Sequence, residues 1–188
     1  VNNKGFSLIE LVIVIGIVGV LTGGLAFYGR SAERQIILFK DQAKIVAALL
    51  KAKSLTISTY SSEADAPCGY GVHINRDRKE IIIFKDLVNI GDSCINASNS
   101  YTGNYNCDNT DLSSDYGLLE CVEKSTLDKL INFSNLTDLE NIVYIPPNPY
   151  VIINKDDAIN RAQIEIQTFD GAVKRIITII NNGQITTQ

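Results

Sequence analysis

The sequence predicts an α+β fold: a long N-terminal helix, membrane-spanning in its first half, packed on a small antiparallel β-sheet head. Three observations carry this. Residues 11–29 are nineteen residues without a charge. The apolar pattern then continues at helical spacing to residue 55. The C-terminal third alternates apolar and polar residues around Asp-Gly and Asn-Gly turns, the signature of hairpin strands.

The chain has 188 residues and a net charge of −4. Its length suits one globular domain plus one extra element. No overall basic character points to nucleic acid. The uncharged run nearly spans the roughly 30 Å hydrocarbon core as a helix. Lys4 precedes it, and Arg30 and Arg34 follow. It passes without a break into an amphipathic stretch and lacks a good A-x-A-like cleavage site, so it reads as a retained segment, not a secretory signal. Gly19 and Gly23 form a G-x-x-x-G pair that permits close helix contact. The Gly23-Gly24 pair is a point of helix weakness, at about 1 kcal/mol of propensity per glycine.

Beyond residue 30 no Pro or Gly interrupts the chain up to Thr59. Ile36, Phe39, Ala43, Val46, Leu49, Leu50 and Leu55 form a stripe that a sheet is expected to cover. One helix of about fifty residues is the simplest reading. In the head, residues 69–75 and 80–84 read as strands around the turn Arg76-Asp77-Arg78-Lys79. Residues 85–117 form a long loop rich in Asn, Ser, Asp and Gly. Residues 118–122 read as a strand, and 125–131 are ambiguous. Residues 141–145 and 150–153 read as strands separated by Pro146-Pro147-Asn148-Pro149. Residues 162–169, 173–180 and 184–187 complete the sheet.

Cys68, Cys94, Cys107 and Cys121 all lie in the middle of the chain without C-x-x-C spacing. An even, widely spaced set beside a membrane segment points to two disulfides in an oxidising compartment. Three connectivities are open. Cys94–Cys107 with Cys68–Cys121 is preferred, because the first closes a short loop.

Glu10 stands where the apolar run begins, and a carboxylate deeper in a membrane helix costs about 2.5–3.5 kcal/mol. It can close a capping box with Ser7. It can also neutralise a cation of a neighbouring subunit. The two roles are compatible at different stages.

Lys4-Gly5-Phe6-Ser7-Leu8-Ile9-Glu10-Leu11 resembles the prepilin cleavage motif of the type IV pilin superfamily, which includes the type II secretion pseudopilins. The resemblance implies cleavage between Gly5 and Phe6 by a membrane aspartyl peptidase and methylation of the new Phe6 amine. It also implies pairing of Glu10 with that amine on an adjacent subunit. The chain then divides into a leader (1–5, with Val1 read as a GTG start), a membrane and filament-core half-helix (6–30), an amphipathic half (31–60) and a β-rich head (61–188). The Gly-Tyr-Gly-Val strand, the Ile-Phe-Lys-Asp segment ending at Asp86, the strand before Pro146-Pro147 and the last Asn-Gly hairpin resemble, in that order, H-type minor pseudopilins. Many family members carry Pro near position 27, where this chain has none. The partners implied are other pilin subunits, the prepilin peptidase, the inner-membrane assembly platform and membrane lipid. The head lies outside the cell membrane, on the cell surface or in the periplasm after assembly.

No catalytic, phosphate-binding or metal motif occurs, and no cofactor is expected. His73 is a lone histidine without a partner in motif spacing. Asp108, Asp111 and Asp115 do not match an EF-hand. Asn96, Asn132 and Asn135 begin chance N-x-S/T triplets. Two alternatives to a filament subunit are a membrane-anchored extracytoplasmic protein of other function and a pilin whose head binds DNA. For the latter the candidate cations are Arg76, Arg78 and Lys79, with Lys174 and Arg175.

Overall fold

The computed structural model describes residues 7–58, 67–87, 94, 97–102, 107, 120–147 and 150–188, with the backbone alone at 26–31. It contains one helix, α1 (Leu8–Ser58), and nine strands among these residues. The chain divides into two compact units, Val1–Ile36 and Ile37–Gln188.

The first unit holds the N-terminal part of α1. Its window Leu8–Leu25 has a mean hydropathy of 2.5 and none of it is buried. The Ser7 carbonyl accepts the Glu10 and Leu11 amides at 3.0 and 3.2 Å and starts the helix. The helix is unbroken through Gly23 and Gly24.

The second unit packs the rest of α1 with two antiparallel sheets. The strands in chain order are β1 (Gly69–Asn75), β2 (Glu80–Asp86), β3 (Cys121–Thr126), β4 (Ile131–Phe133), β5 (Asn141–Ile145), β6 (Tyr150–Ile153), β7 (Arg161–Thr168), β8 (Lys174–Ile180) and β9 (Ile185–Thr187). Sheet A has the order β3-β2-β1-β5-β6, and sheet B the order β4-β7-β8-β9. The single sheet expected from sequence is therefore two. The strand placed at 118–122 begins at Cys121, and the ambiguous stretch contains both the end of β3 and the short β4.

The stripe of α1 that enters the core is Leu38, Ile45, Leu49 and Ala52, all fully buried. They join Val72, Ile83 and Ile142 of sheet A and Ile164, Ile166 and Ile177 of sheet B in one cluster. This corrects the expected stripe. Leu49 belongs to it, and Val46 and Leu55 flank it half-buried. Ile36, Phe39, Ala43 and Leu50 lie outside it, exposed. The buried row was hard to see because Asp41, Gln42 and Thr56 occupy it. Asp41 is tolerated there because its Oδ2 accepts the Asp128 amide at 2.7 Å and its Oδ1 faces the Lys44 ammonium at 2.8 Å. The Thr56 hydroxyl bonds to the carbonyls of Ala52 and Tyr144, at 3.0 and 3.2 Å.

Sheet A is apolar on both faces. Val72, Ile81, Ile83 and Ile142 face α1, while Ile82, Phe84 and Val143 are buried outside that cluster. Gly71 opposes Phe84 across the strands, and a Cβ on it would lie 2.5 Å from the Phe84 ring. The residue must therefore be glycine for that ring to lie flat. Residues 98–102 cover this second face. The Tyr101 ring packs on Phe84 and His73, with centroids at 5.7 and 5.3 Å. Asp86 accepts the Ser98 hydroxyl and the Asn99 amide, at 3.2 and 3.1 Å. Glu120 accepts the Thr102 amide and hydroxyl. Asn141 accepts the Tyr101 amide.

Two disulfides border the cover: Cys68–Cys94 and Cys107–Cys121, each with Cα atoms 5.3 Å apart. This differs from the preferred connectivity. The sheet decides the pairing. Cys68 leads into β1 and Cys121 opens β3, so each takes its partner from the nearer end of the covering loop.

Two predictions follow from the head. Tyr144 is fully buried, and its hydroxyl has no hydrogen-bond partner among the described residues. Tyr144→Phe should raise stability by about 1 kcal/mol in chemical denaturation; a comparable loss would reveal a bond to that hydroxyl. Burial, with Glu120 nearby, pushes Asp86 up from 3.8 to about 6, against the hydrogen bonds of Ser98 and Asn99. The folded state thus binds this proton more tightly than the unfolded chain. Its contribution favours folding at low pH and is lost as pH rises from about 4 through 6. The chain should be about 1 kcal/mol more stable at pH 5 than at pH 7.5 relative to Asp86→Asn. Parallel pH profiles for the two proteins would contradict this.

Candidate functional site

The described residues contain no group of three or more His, Cys, Asp or Glu side chains placed to hold a metal ion. His73 Nδ1 lies 2.9 Å from Asn141 Oδ1, and its ring packs on Tyr101, which gives it a structural place in the outer layer of sheet A. Asp108, Asp111 and Asp115 lie outside the described residues, as does Asn96. Asn132 pairs with Gln167 within sheet B.

The basic side chains of the head are largely engaged with their own protein. Arg76 donates to the Thr137 carbonyl at 3.2 Å, and Lys79 to the Lys129 carbonyl at 3.2 Å. Lys174 pairs with Glu165 at 2.9 Å, which holds the Glu165 carboxyl below its ordinary value. The Arg175 guanidinium lies over the Phe39 ring at 4.0 Å. A continuous phosphate-binding track does not emerge from these contacts.

The surface that lacks cover is α1. Leu8 to Leu25 present apolar side chains on every side of the helix, a pattern suited to lipid or to other apolar helices. At its start the exposed Glu10 carboxylate reaches back to the Ser7 amide at 3.4 Å. This is the side-chain half of a capping box. Gly5 and Phe6 lie outside the described residues. An added Cβ at Gly16, Gly19, Gly23 or Gly24 would meet nothing within 4 Å, so nothing among the described residues requires these glycines.

Within the second unit, α1 carries a second apolar row outside the core. Ala43, Leu50 and Ile57 are exposed along it, with Ala47 at its border with sheet A and Phe39 half-exposed beneath Arg175 of β8. Their spacing of three and four residues is helical, and the two alanines allow close approach of another backbone. Sequence reading found most of this face but assigned it to the core. The clue that separates the two faces is the polar group each must satisfy: Asp41 and Thr56 find partners inward, whereas nothing polar interrupts Ala43 to Leu50 on the outer side.

Residues 1–26 match the prokaryotic N-terminal methylation motif. Comparison with curated proteins finds no match. Among solved structures, the minor pseudopilin EpsH from the Type 2 Secretion System of Vibrio cholerae aligns with 80% of this chain and 94% of its own. Its TM-score is 0.43 and its identity 12%. The methylation motif thus opens an apolar helix long enough to cross a membrane, in a chain whose remainder is rich in antiparallel strands.

Proposed function

We propose that this chain is a structural subunit of a type IV pilus or type II secretion-like pseudopilus, cut between Gly5 and Phe6, methylated on the new Phe6 amine and recruited through Glu10. The observation that carries this reading is Glu10 itself. It is a carboxylate at the start of the apolar window of α1, and it accepts a long hydrogen bond, at 3.4 Å, from the Ser7 amide of its own chain.

In the membrane-inserted subunit that local bond, with headgroups and water, solvates the charge. In a filament the apolar helices bundle and the Phe6 amine of a neighbour leaves water. Glu10 can then exchange the Ser7 amide for that amine. Such a buried pair sets axial register more than it adds net stability, because both ions must be desolvated. The outer face from Ala43 to Ile57 would turn toward the filament interior. The partners in this reading are the prepilin peptidase, the inner-membrane assembly platform and other pilin-like subunits. The head stands outside the cell membrane.

Gly5→Val should leave the precursor uncut, and mass spectrometry should find residues 1–5 retained. Glu10→Gln should be cut and methylated normally and accumulate in the membrane. Its incorporation into sheared filaments should fall a hundredfold or more, since an uncompensated buried charge costs about 3–5 kcal/mol. Gln would still serve the capping box. Wild-type incorporation of Glu10→Gln would therefore leave Glu10 with the cap alone and overturn the counter-ion role.

A further inference from the structure

A cleft of about 480 Å³ opens in the head where the end of β1 meets the end of β4. Its size lies in the range of small-ligand sites, about 300–1,000 Å³. One wall is the end of β1 with its turn, residues 73–77. The other is residues 133–135, with Glu140 from just before β5.

The walls are tied together. The Ile74 amide donates to the Glu140 carbonyl at 2.8 Å, and the Arg76 guanidinium to the Thr137 carbonyl at 3.2 Å. The Ser134 amide and the Thr137 hydroxyl both donate to the Glu165 carbonyl of β7, at 2.8 and 2.9 Å. Asn154 Oδ1 accepts the Glu140 amide at 2.8 Å. A cleft fixed in this way loses little entropy when a ligand enters.

The polar groups that line it are left with bonds to give. Asn75 Oδ1 accepts the Arg78 amide at 3.1 Å, so its NH2 remains to donate. His73 Nδ1 meets Asn141 Oδ1, which also accepts the Tyr101 amide. That oxygen is an acceptor, so Nδ1 carries the proton and Nε2 accepts in the neutral ring. Arg76 keeps most of its N–H donors beyond the one on Thr137. Among the described residues, the side chains of Asp77, Asn135 and Glu140 have no polar partner.

This set selects a ligand class. One guanidinium stands against two carboxylates, so no surplus of cations favours phosphate or another anion. The described residues offer no third carboxylate, histidine or cysteine placed to complete a metal site. Carboxylate, carboxamide and guanidinium are planar groups that can engage two adjacent hydroxyls at once, as donors on one side and acceptors on the other. Half-buried Phe133 adds an apolar patch suited to C–H groups. An uncharged molecule with adjacent hydroxyls and an apolar C–H face matches all of these.

We propose that this cleft binds a neutral saccharide, held by Arg76, Asn135 and Glu140 with Phe133 against the sugar ring. The binding adds a recognition role to the head and needs neither cleavage after Gly5 nor filament assembly. With so polar a lining the affinity is that of a few net hydrogen bonds, on the order of 0.1–1 mM.

Saturation-transfer NMR suits that range. The full chain would be held in phosphatidylcholine nanodiscs, free of glycoside detergent. The probes are the methyl glycosides of glucose, galactose, mannose and N-acetylglucosamine at about 10 mM, tenfold above the weakest Kd expected. Sulfated galactose serves as the anionic control. Asn135→Ala and Glu140→Ala change exposed positions, and Asp157→Ala removes an exposed carboxylate elsewhere on the head. At least one neutral glycoside should receive saturation. Its Kd should rise at least about tenfold in both cleft variants and stay unchanged in Asp157→Ala, with equal melting temperatures throughout. Transfer to none of the four neutral sugars would overturn the proposal. So would wild-type affinity in either cleft variant, which would place the sugar elsewhere. Transfer to the sulfated sugar alone would overturn it in favour of an anion on Arg76.

Discussion

The inward stripe of α1 is the constraint on which the head depends. Leu38, Ile45, Leu49 and Ala52 are where sheets A and B meet, and neither sheet closes a core without them. Each large side chain of that row contributes about 1.5–3 kcal/mol by burial. The row is pinned at both ends by polar contacts: Asp41 with the Asp128 amide in the β3–β4 connection, and Thr56 with the Tyr144 carbonyl of β5. Those contacts set rotation and register, so the sheets cannot slide onto the outer face of the helix even though it is also apolar. Because the inner row is fixed, Ala43, Leu50 and Ile57 are held outward.

A second consequence concerns sheet A. With one face on α1, its other apolar face still needs a cover, and residues 98–102 provide it through Tyr101, Asp86, Glu120 and Asn141. The disulfides on either side limit how far that cover can depart. Closing such a loop stabilises chiefly by restricting the unfolded chain, by about 3 kcal/mol for a loop of some fifteen residues. The cover thus combines modest polar contacts with a covalent border. Burial raises the Asp86 carboxyl, so holding it charged under the cover carries a desolvation cost.

Much of this was legible in the sequence. The helix was, because no Pro occurs in it and no Gly follows residue 29, and the last hairpins were, because Asp-Gly and Asn-Gly announce them. Gly171 and Gly183 have φ of +68° and +77°, values a side chain would resist. The number of sheets was not legible. β4 is three residues long and gains its identity only from pairing with β7. The runs Ile81-Ile82-Ile83-Phe84 and Ile142-Val143-Tyr144 carried the information that sheet A is buried on both faces, since a half-exposed strand would alternate. The inward row of α1 was misread because periodicity ranks side chains by polarity alone. Asp41 joins the core through the Asp128 amide, 87 residues away, and through Lys44, which itself reaches the Thr126 carbonyl. Disulfide pairing failed likewise: loop length favoured Cys94–Cys107, but the strands had already placed Cys68 and Cys121. At the N-terminus the motif was readable because its chemistry is local.

In the proposed subunit one helix carries two apolar faces, one buried against the sheets and the other left for assembly. Thiol accessibility at position 50 tests this most directly. Leu50 is 53% exposed, and the chain's four native cysteines are paired in disulfides. A Leu50→Cys thiol should react freely with a maleimide in the membrane-held subunit and become protected in assembled filaments. Equal reactivity in both states would contradict the claim that the outer face of α1 is an assembly surface.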